Sequence, residues 1–173
     1  NTSYFGDTIL TDALCRNLKR LYPESRLVFI SNKPFADISR YMDGVDEVWT
    51  YDKWGIHKGL AGWYKFYKEH KNQYVFDVAF VIYGNERGIL LSKFLGAKKI
   101  YADNRHAIVR LLLSNGKINY GKWIHVQDRH AYLAELYAGK PMESMKIRYN
   151  VPDEAFAYIN EQLLKGISKP IIA

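Results

Sequence analysis

The sequence predicts an α/β fold, a doubly wound, mostly parallel sheet with helices on both faces. Short apolar stretches typical of strands alternate along the chain with segments whose apolar residues recur at helical spacing. Strands separated by helices of about ten residues imply parallel pairing through right-handed crossovers. Residues 76–82 are almost continuously apolar, as expected for a strand covered on both faces. The chain has 173 residues and 48% apolar content, so we expect one domain with one sizeable core.

The predicted elements follow one another from the start of the chain. Strands are expected at residues 26–30, 45–51, 76–82 and 99–101. Helices are expected at residues 8–21, 34–41, 60–70, 87–95, 125–137 and 153–164. Pro23, Gly96 and Gly139 end three of these helices, because proline cannot continue a helix and glycine favours its last turn. A further short helix is expected at 108–113, within the less regular region 105–123.

The charge balance bears on the kind of partner. Lysine and arginine number 25 against 18 aspartate and glutamate, and this net charge of +7 favours a phosphorylated substrate, an anionic membrane surface or nucleic acid. Nucleic acid is the least favoured, because the positive charge is scattered along the chain. No apolar run approaches the roughly 18 residues that a membrane-spanning helix needs. Cys15, the only cysteine, is interpreted as a buried, inert thiol.

Polar residues gather at one edge of the predicted sheet. In doubly wound sheets, ligands bind outside the carboxyl ends of the strands. The positions expected at those ends are Asp7, Asn32, Lys33, Asp52, Lys53, Asn85, Glu86, Arg87, Asp103, Asn104, Arg105 and His106. We therefore expect the functional site at this edge, while the strands themselves stay apolar.

Asp7 follows Gly6 at the start of the predicted helix 8–21 and has two interpretations that the residues alone leave open. The carboxylate can cap the helix by accepting a hydrogen bond from a first-turn amide, which stabilises a helix by about 1 kcal/mol. It can instead be a general base that removes a proton from an attacking hydroxyl, and the helix start would keep it ionised at neutral pH. Gly6 would let a bulky substrate approach the backbone closely.

Other charged and aromatic groups also have two interpretations. Arg87 can bind a phosphate or carboxylate through two hydrogen bonds, or lie in a solvated loop. The basic cluster of Arg105, His106 and Arg110 is compatible with an anion-binding loop and with ordinary surface charge. Aromatic residues and lysines interleave over residues 53–68, as in a core-facing helix or in a patch that contacts a membrane surface.

The familiar metal-binding and phosphate-loop motifs are absent from the sequence. There is no Cys-x-x-Cys, no His-Glu-x-x-His and no Asp-x-Asp, so no metal site is expected. There is also no Gly-x-x-x-x-Gly-Lys followed by Ser or Thr, and no Gly-x-Gly-x-x-Gly. A phosphate-loop nucleotidase and a simple dinucleotide-binding domain therefore have no positive support.

Residues 3–14, with the Gly-Asp pair at 6–7, resemble the opening of the ADP-heptose:lipopolysaccharide heptosyltransferases, glycosyltransferase family nine. Further segments match that family in order and spacing: 18–23, 45–48 (Val-Asp-Glu-Val), 74–79, 95–100 (with Leu-Gly-Ala), 125–139 and 169–173. The resemblance spans nearly the whole chain but only the N-terminal half of such an enzyme. The family's first strand and its donor-binding half have no counterpart in this sequence.

This resemblance implies a two-domain fold of the GT-B type. A Rossmann-like acceptor-side domain would comprise residues 1–168, and residues 169–173 would begin the first strand of a C-terminal domain that holds the nucleotide sugar. Such enzymes are inverting and need no metal, and the aspartate of the Gly-Asp pair, here Asp7, is the expected base. The residues expected to contact the acceptor are Gly6, Thr8, Asn85, Arg87, Arg105 and Arg110.

The function implied by the resemblance is transfer of a heptose or related sugar from a nucleotide donor, expected to be ADP-heptose, to a glycolipid or oligosaccharide acceptor of the lipopolysaccharide type. No cofactor besides the nucleotide sugar, and no nucleic acid, is expected. The expected location is cytoplasmic, with peripheral contact at the inner membrane, and the 173 residues alone are expected to be inactive. Two alternatives stay open: a non-enzymatic binding module, and a glycosyltransferase with another donor and a non-lipid acceptor.

Overall fold

The computed structural model describes residues 4–82, 86–102, 109–116, 118 and 125–166. The strands in this part of the chain are β1 (Val28–Asn32), β2 (Glu47–Tyr51), β3 (Val78–Val81) and β4 (Lys99–Ala102). The α-helices are α1 (Phe5–Ile9), α2 (Asp12–Leu21), α3 (Ala36–Arg40), α4 (Gly59–His70), α5 (Glu86–Phe94), α6 (Val126–Ala138) and α7 (Asp153–Tyr158). Two short 3-10 helices are formed by Lys33–Phe35 and Val109–Leu112, and a π-helical turn, Ile159–Leu163, follows α7.

The strands pair in parallel, as their alternation with helices predicts. β1 lies beside β2, with Ile30 opposite Trp49, and β3 lies beside β4, with Phe80 opposite Tyr101. The fold class, α/β with parallel strands, is therefore confirmed. Among the described residues, however, the four strands form two separate two-stranded sheets rather than one continuous sheet.

Helices cover both faces of the β3–β4 pair. Phe80 and Tyr101 pack with residues of α2 and α6, whereas Val81 and Ile100 pack with Ile89 of α5 on the opposite face. This alternation follows from the strand itself, in which successive side chains point to opposite faces. The near-continuous apolar character of residues 76–82 thus reflects burial from two sides.

Helices α2 and α5 also cover the β1–β2 pair, together with α4. Phe29 packs with Cys15 of α2 on one face, and Trp49 packs with Phe66 of α4 and Leu95 of α5 on the other. Because α2 and α5 each contact both strand pairs, the two pairs lie in one layer between them. A gap separates β1 from β3 within that layer, lined by residues of both strands and of α2 and α5.

The predicted helix 8–21 is two helices, α1 and α2, separated by Leu10 and Thr11. The Thr11 hydroxyl donates to the carbonyl of Asp7 at 2.8 Å, and the Leu10 carbonyl lies 3.2 Å from the Nδ1 atom of His130 in α6. These bonds compete with the regular helical pattern at the junction. The apolar periodicity continues through the break, which explains why the sequence predicts one uninterrupted helix.

An extended strap, residues 141–150, crosses the outer side of α2. The buried side chain of Asn17 holds it, since Asn17 Nδ2 donates to the Glu143 carbonyl at 2.9 Å and Asn17 Oδ1 accepts the Glu143 N–H at 3.0 Å. Farther along, the Arg148 N–H donates to Asp12 Oδ2 at 3.0 Å, and Tyr149 forms an antiparallel bridge with Met42. The strap thereby ties the chain that follows α6 to α2 and to the turn after α3.

Candidate functional site

The first turn of α1 lies at the carboxyl ends of β1 and β2. The Phe5 ring packs against the ring of Phe35, which follows β1, with 5.8 Å between centroids. Lys53, which follows β2, places its Nζ atom 5.9 Å from the centroid of the Tyr4 ring. These contacts agree with the sequence-based expectation that the start of the chain and the ends of these strands meet at one edge.

Asp7 lies inside α1, rather than at its first residue, and is half-buried. Its Oδ2 atom accepts the N–H of Tyr4 at 3.2 Å, so the carboxylate reaches back to cap the start of the helix. The hydrogen bond from the Tyr4 N–H therefore shows that Asp7 caps the helix. A half-buried carboxylate also stays reachable from outside, so a role as a base remains a prediction.

The two neighbours of Asp7 differ in their surroundings. Thr8 is fully buried, and its hydroxyl donates to the Tyr4 carbonyl at 3.3 Å. Gly6 is exposed, and a Cβ atom added there would meet no atom within 4 Å. Open space therefore lies over the backbone of α1 at Gly6, next to the Asp7 carboxylate, whereas Thr8 faces the interior.

The other residues predicted to contact an acceptor are only partly within the described chain. Asn85 and Arg105 lie outside the described residues, and for Arg110 only the backbone, within the turn Val109–Leu112, is described. Arg87 is exposed on the first turn of α5. Burial raises the pKa of Tyr51, the last residue of β2, and the positive charge of Arg87 opposes that increase. Arg87 is thus within electrostatic reach of the carboxyl end of β2.

An ion pair joins the ends of β1 and β2. Lys33 Nζ lies 3.0 Å from Asp52 Oδ2, and this hydrogen bond lowers the pKa of the Asp52 carboxyl. The Gly55 N–H also donates to Asp52, at 3.0 Å from Oδ1. An alanine Cβ at Gly55 would lie 2.5 Å from Asp52 Oδ2, so the Asp52 carboxylate would have to move. The pair therefore lies at the carboxyl ends of β1 and β2.

His57, which the sequence did not single out, organises the loop that follows β2. Its buried ring accepts the Asp52 N–H at Nδ1, at 2.9 Å, and contacts Glu69 Oε2 through Nε2 at 3.0 Å. Because Nδ1 accepts, Nε2 carries the proton and donates it to Glu69. Gly62 of α4 makes this approach possible, since a Cβ there would lie 2.2 Å from the His57 carbonyl carbon. No spacing in the sequence signals this contact.

His130 is the second structural residue that the sequence did not identify. It is buried, and its Nδ1 atom donates to the Leu10 carbonyl between α1 and α2 at 3.2 Å. Burial lowers the pKa of His130 to about 4, although the Leu10 carbonyl and the negative charge of Asp7 both act to raise it. The ring is therefore neutral at pH 7, so His130 supports the turn between α1 and α2 without adding a positive charge of its own.

Metal ligation and membrane crossing have no counterpart in the described part of the chain. Among these residues, no group of three or more His, Cys, Asp or Glu side chains is placed to hold a metal ion. None of the described helices is both long enough and apolar enough to cross a bilayer.

Comparison with known proteins places this geometry in a recognised architecture. No family model matches the sequence, and no curated protein matches it. Among solved structures, the glycosyl transferase family 9 protein of Veillonella parvula has a TM-score of 0.79 and 19% identity, with 94% of this chain and 48% of that chain covered.

Two Escherichia coli structures are also similar. Heptosyltransferase WaaC with ADP-2-deoxy-2-fluoro heptose has a TM-score of 0.68 and 18% identity, over 86% of this chain and 50% of that one. ADP-heptose lps heptosyltransferase II has a TM-score of 0.69 and 17% identity, over 94% and 48%. The chain thus spans about half the length of these structures. At these identities the likeness concerns the fold, and at that level the predicted resemblance to glycosyltransferase family nine is confirmed.

Proposed function

We propose that this chain is the acceptor-side half of an inverting, metal-independent glycosyltransferase that moves a heptose or related sugar from a nucleotide donor to an acceptor of the lipopolysaccharide type. The observation that supports this most is the half-buried carboxylate of Asp7 at the carboxyl edge of parallel strands, beside open space at Gly6. The likeness in fold to heptosyltransferase structures supports the same reaction class.

In the proposed reaction, Asp7 takes the proton of an acceptor hydroxyl. The acceptor oxygen attacks the anomeric carbon of the donor sugar, and a new carbon–oxygen bond forms while the bond to the diphosphate oxygen breaks. The electron pair leaves with the nucleoside diphosphate, and the configuration at carbon inverts. A carboxylate is a weak base toward an alcohol, so the proton moves late, when bond formation has made the hydroxyl acidic.

The surroundings of Asp7 suit this role. The Tyr4 N–H fixes the carboxylate through Oδ2, and the imidazole of His130, neutral at pH 7, adds no positive charge of its own. Lys53 and Arg87 place positive charge near the carboxyl edge. These cations would attract a phosphorylated or otherwise anionic acceptor.

Replacing Asp7 in the complete two-domain enzyme tests the proposal. Asp7→Asn preserves the side-chain oxygen that accepts the Tyr4 N–H but cannot take a proton, so we expect kcat to fall by about 10²- to 10⁴-fold with the fold unchanged. Asp77→Asn is the matched control, because Asp77 lies just before β3, at the opposite edge, and pairs with Lys98. Near-normal turnover of Asp7→Asn would contradict the role of Asp7 as the base and leave it only the helix-capping role. The absence of any transfer by the complete protein would favour the non-enzymatic binding module.

The donor and the division of labour between domains need separate tests. We propose ADP-heptose as the donor, held mainly by a second domain, with no additional cofactor. A screen of nucleotide sugars with the complete enzyme distinguishes this from a glycosyltransferase with another donor and a non-lipid acceptor. The 173 residues alone should show no transfer, and detectable turnover by them would contradict the division between domains.

We also propose that α4 and the loop before it contact an anionic membrane surface, with the protein on the cytoplasmic side. The aromatic–lysine segment divides in two: Trp63, Phe66 and Tyr67 pack into the core, whereas Trp54 and Leu60 are exposed. Leu60 is 85% exposed, and Lys53 Nζ lies 4.6 Å from the Trp54 ring centroid. Exposed apolar groups beside lysines are typical of interfacial membrane binding.

Vesicle sedimentation tests the membrane contact. The protein should bind vesicles that contain phosphatidylglycerol and not vesicles of phosphatidylcholine alone, because the lysines need anionic headgroups. Leu60→Ser together with Trp54→Ala should weaken this binding several-fold. Leu111→Ser is the control, since Leu111 is equally exposed but lies in the turn Val109–Leu112. Equal binding to both kinds of vesicle would contradict the proposal.

A further inference from the structure

The break between α1 and α2 comes three residues after Asp7, and a side chain from α6 closes it. The Leu10 carbonyl lies at this break, and no backbone N–H of the described residues donates to it. Carbonyl groups at a helix end need a partner from outside the helix. His130 is that partner, since its Nδ1 atom lies 3.2 Å from the Leu10 carbonyl oxygen. This hydrogen bond therefore joins α6 to the backbone that follows Asp7.

Two further hydrogen bonds connect the break directly to the turn that contains Asp7. The hydroxyl of Thr11, which is buried, donates to the Asp7 carbonyl at 2.8 Å. The Leu10 N–H donates to the Gly6 carbonyl at 3.0 Å. Leu10 is thus held at both of its backbone polar groups, by α1 on one side and by His130 on the other. A shift of Leu10 would therefore be passed on to α1.

The electrostatic coupling of the two side chains agrees with this connection. Burial lowers the pKa of His130, and the negative charge of Asp7 is one of the influences that oppose the decrease. The imidazole and the carboxylate are therefore within electrostatic reach of each other. Because Asp7 Oδ2 accepts the Tyr4 N–H at 3.2 Å, the carboxylate is fixed to α1 and moves with it.

The attachment of α6 to α2 does not depend on the imidazole. Leu133, one turn after His130 in α6, is buried and packs with Leu14 and Leu18 of α2. These apolar contacts hold the two helices together without fixing a direction, because burial of apolar surface is non-directional. The hydrogen bond from His130 is directional, and it acts at the break rather than on the body of α2.

We propose that His130 is a positioning residue for the transfer reaction: its hydrogen bond to the Leu10 carbonyl fixes the break after α1 and thereby the place of the Asp7 carboxylate relative to the acceptor hydroxyl. This inference rests on the proposed role of Asp7 as the base. His130 is buried, so it acts through the backbone and not on the acceptor. A displacement of a reacting group by about 1 Å can slow a reaction by about 10²-fold.

Substitutions of His130 in the complete two-domain enzyme test the proposal. His130→Leu fills the space without a hydrogen-bond donor, whereas His130→Asn keeps an amide N–H near the position of Nδ1. We expect His130→Leu to lower kcat by about 10- to 100-fold, with little change in KM for the nucleotide sugar, and His130→Asn to recover most of that loss. Leu133→Val is the matched control, because it loosens the packing of α6 on α2 without removing the bond at the break, and it should leave kcat unchanged.

A combined variant separates positioning of the base from general damage. In an enzyme that already carries Asp7→Asn, His130→Leu should cause no further loss of kcat, because its effect passes through the carboxylate. A further loss in that background would overturn the proposal. A normal kcat in His130→Leu, no recovery in His130→Asn, or an equal loss in Leu133→Val would also overturn it.

Two further outcomes have a defined meaning. If His130→Leu does not fold, His130→Gln takes its place, since its amide lies one methylene farther out and cannot replace the Nδ1 donor; it should then lose the kcat that His130→Asn retains. A normal kcat in His130→Gln would overturn the proposal. Near-normal turnover of Asp7→Asn alone would instead overturn the base itself, and the positioning role with it.

Discussion

Asp7 and Asp12 lie in consecutive helices, yet their surroundings are opposite. Asp7 is half-buried at the carboxyl edge, and the Tyr4 N–H donates to it. Asp12 is fully buried beneath the strap, where Arg16 lies 2.9 Å away and the Arg148 N–H donates at 3.0 Å. Burial raises the pKa of Asp12 against these partners. The same side chain is therefore fully buried and paired in one helix, and only half-buried, with a single capping bond, in the helix before it.

Alanine substitutions at the two aspartates should have unequal costs. Asp12→Ala should lower the free energy of unfolding by about 3 kcal/mol, because it removes a fully buried carboxylate and leaves Arg16 and the Arg148 N–H without their acceptor. Asp7→Ala should lower it by only about 1 kcal/mol, the usual cost of losing a helix cap. Urea denaturation of the two variants measures both values. Equal losses would erase the distinction between the two turns.

The pH dependence of stability should reveal His130. The unfolded chain takes up a proton near pH 6.5, whereas the folded chain resists protonation until the His130 pKa of about 4. The contribution of His130 to the free energy of unfolding is therefore complete above pH 6.5. It is lost as the pH falls toward 4, by up to about 3 kcal/mol. His130→Asn should flatten this part of the profile.

Alanine substitutions at Gly62 and Gly6 compare a closely packed backbone site with an open one. Gly62→Ala forces a Cβ atom to within 2.2 Å of the His57 carbonyl carbon, so α4 or the loop must move. We expect a loss of about 2 kcal/mol, as for other overpacked sites, together with changed near-UV circular dichroism from the aromatic cluster around Phe66. A stability equal to that of the parent chain would show that the loop gives way easily.

Gly6→Ala should have the smallest effect on stability and the clearest effect on function. The added Cβ atom meets nothing within 4 Å, so the better helix propensity of alanine should raise the stability of the chain by about 0.7 kcal/mol. In the complete enzyme the same methyl group occupies the space beside Asp7, and KM for the acceptor should rise several-fold. An unchanged KM would separate Gly6 from the acceptor site.

The sequence predicts those parts of the fold that depend on local pattern. The apolar run at 76–82 identifies β3, and the alternation of strands and helices identifies parallel pairing. The edge that contains Asp7 also follows, because it depends only on strand direction. Contacts between distant residues are a different matter. The break after Ile9 depends on His130, and the strap depends on Asn17, so no local window could encode either.

The aromatic segment shows a second limit of sequence interpretation. Its residues were compatible with a core-facing helix or with a membrane-surface patch, and the structure assigns them individually. Phe66 is fully buried against Trp49 and Tyr51, while Tyr64 on the same helix is exposed. Helical spacing predicts that one face is buried, but it does not say what meets the other face.

Cys15 of α2, which packs against Phe29 of β1, makes local opening of the core measurable by chemistry. It is the only sulfhydryl of the chain, and burial raises its pKa to about 12, so almost none of it is thiolate at neutral pH. Alkylating reagents can therefore react at an appreciable rate only when packing around α2 loosens and water reaches the sulfur. The alkylation rate of this sulfur therefore reports how often the core around α2 opens. Mass spectrometry can measure that rate without an engineered probe.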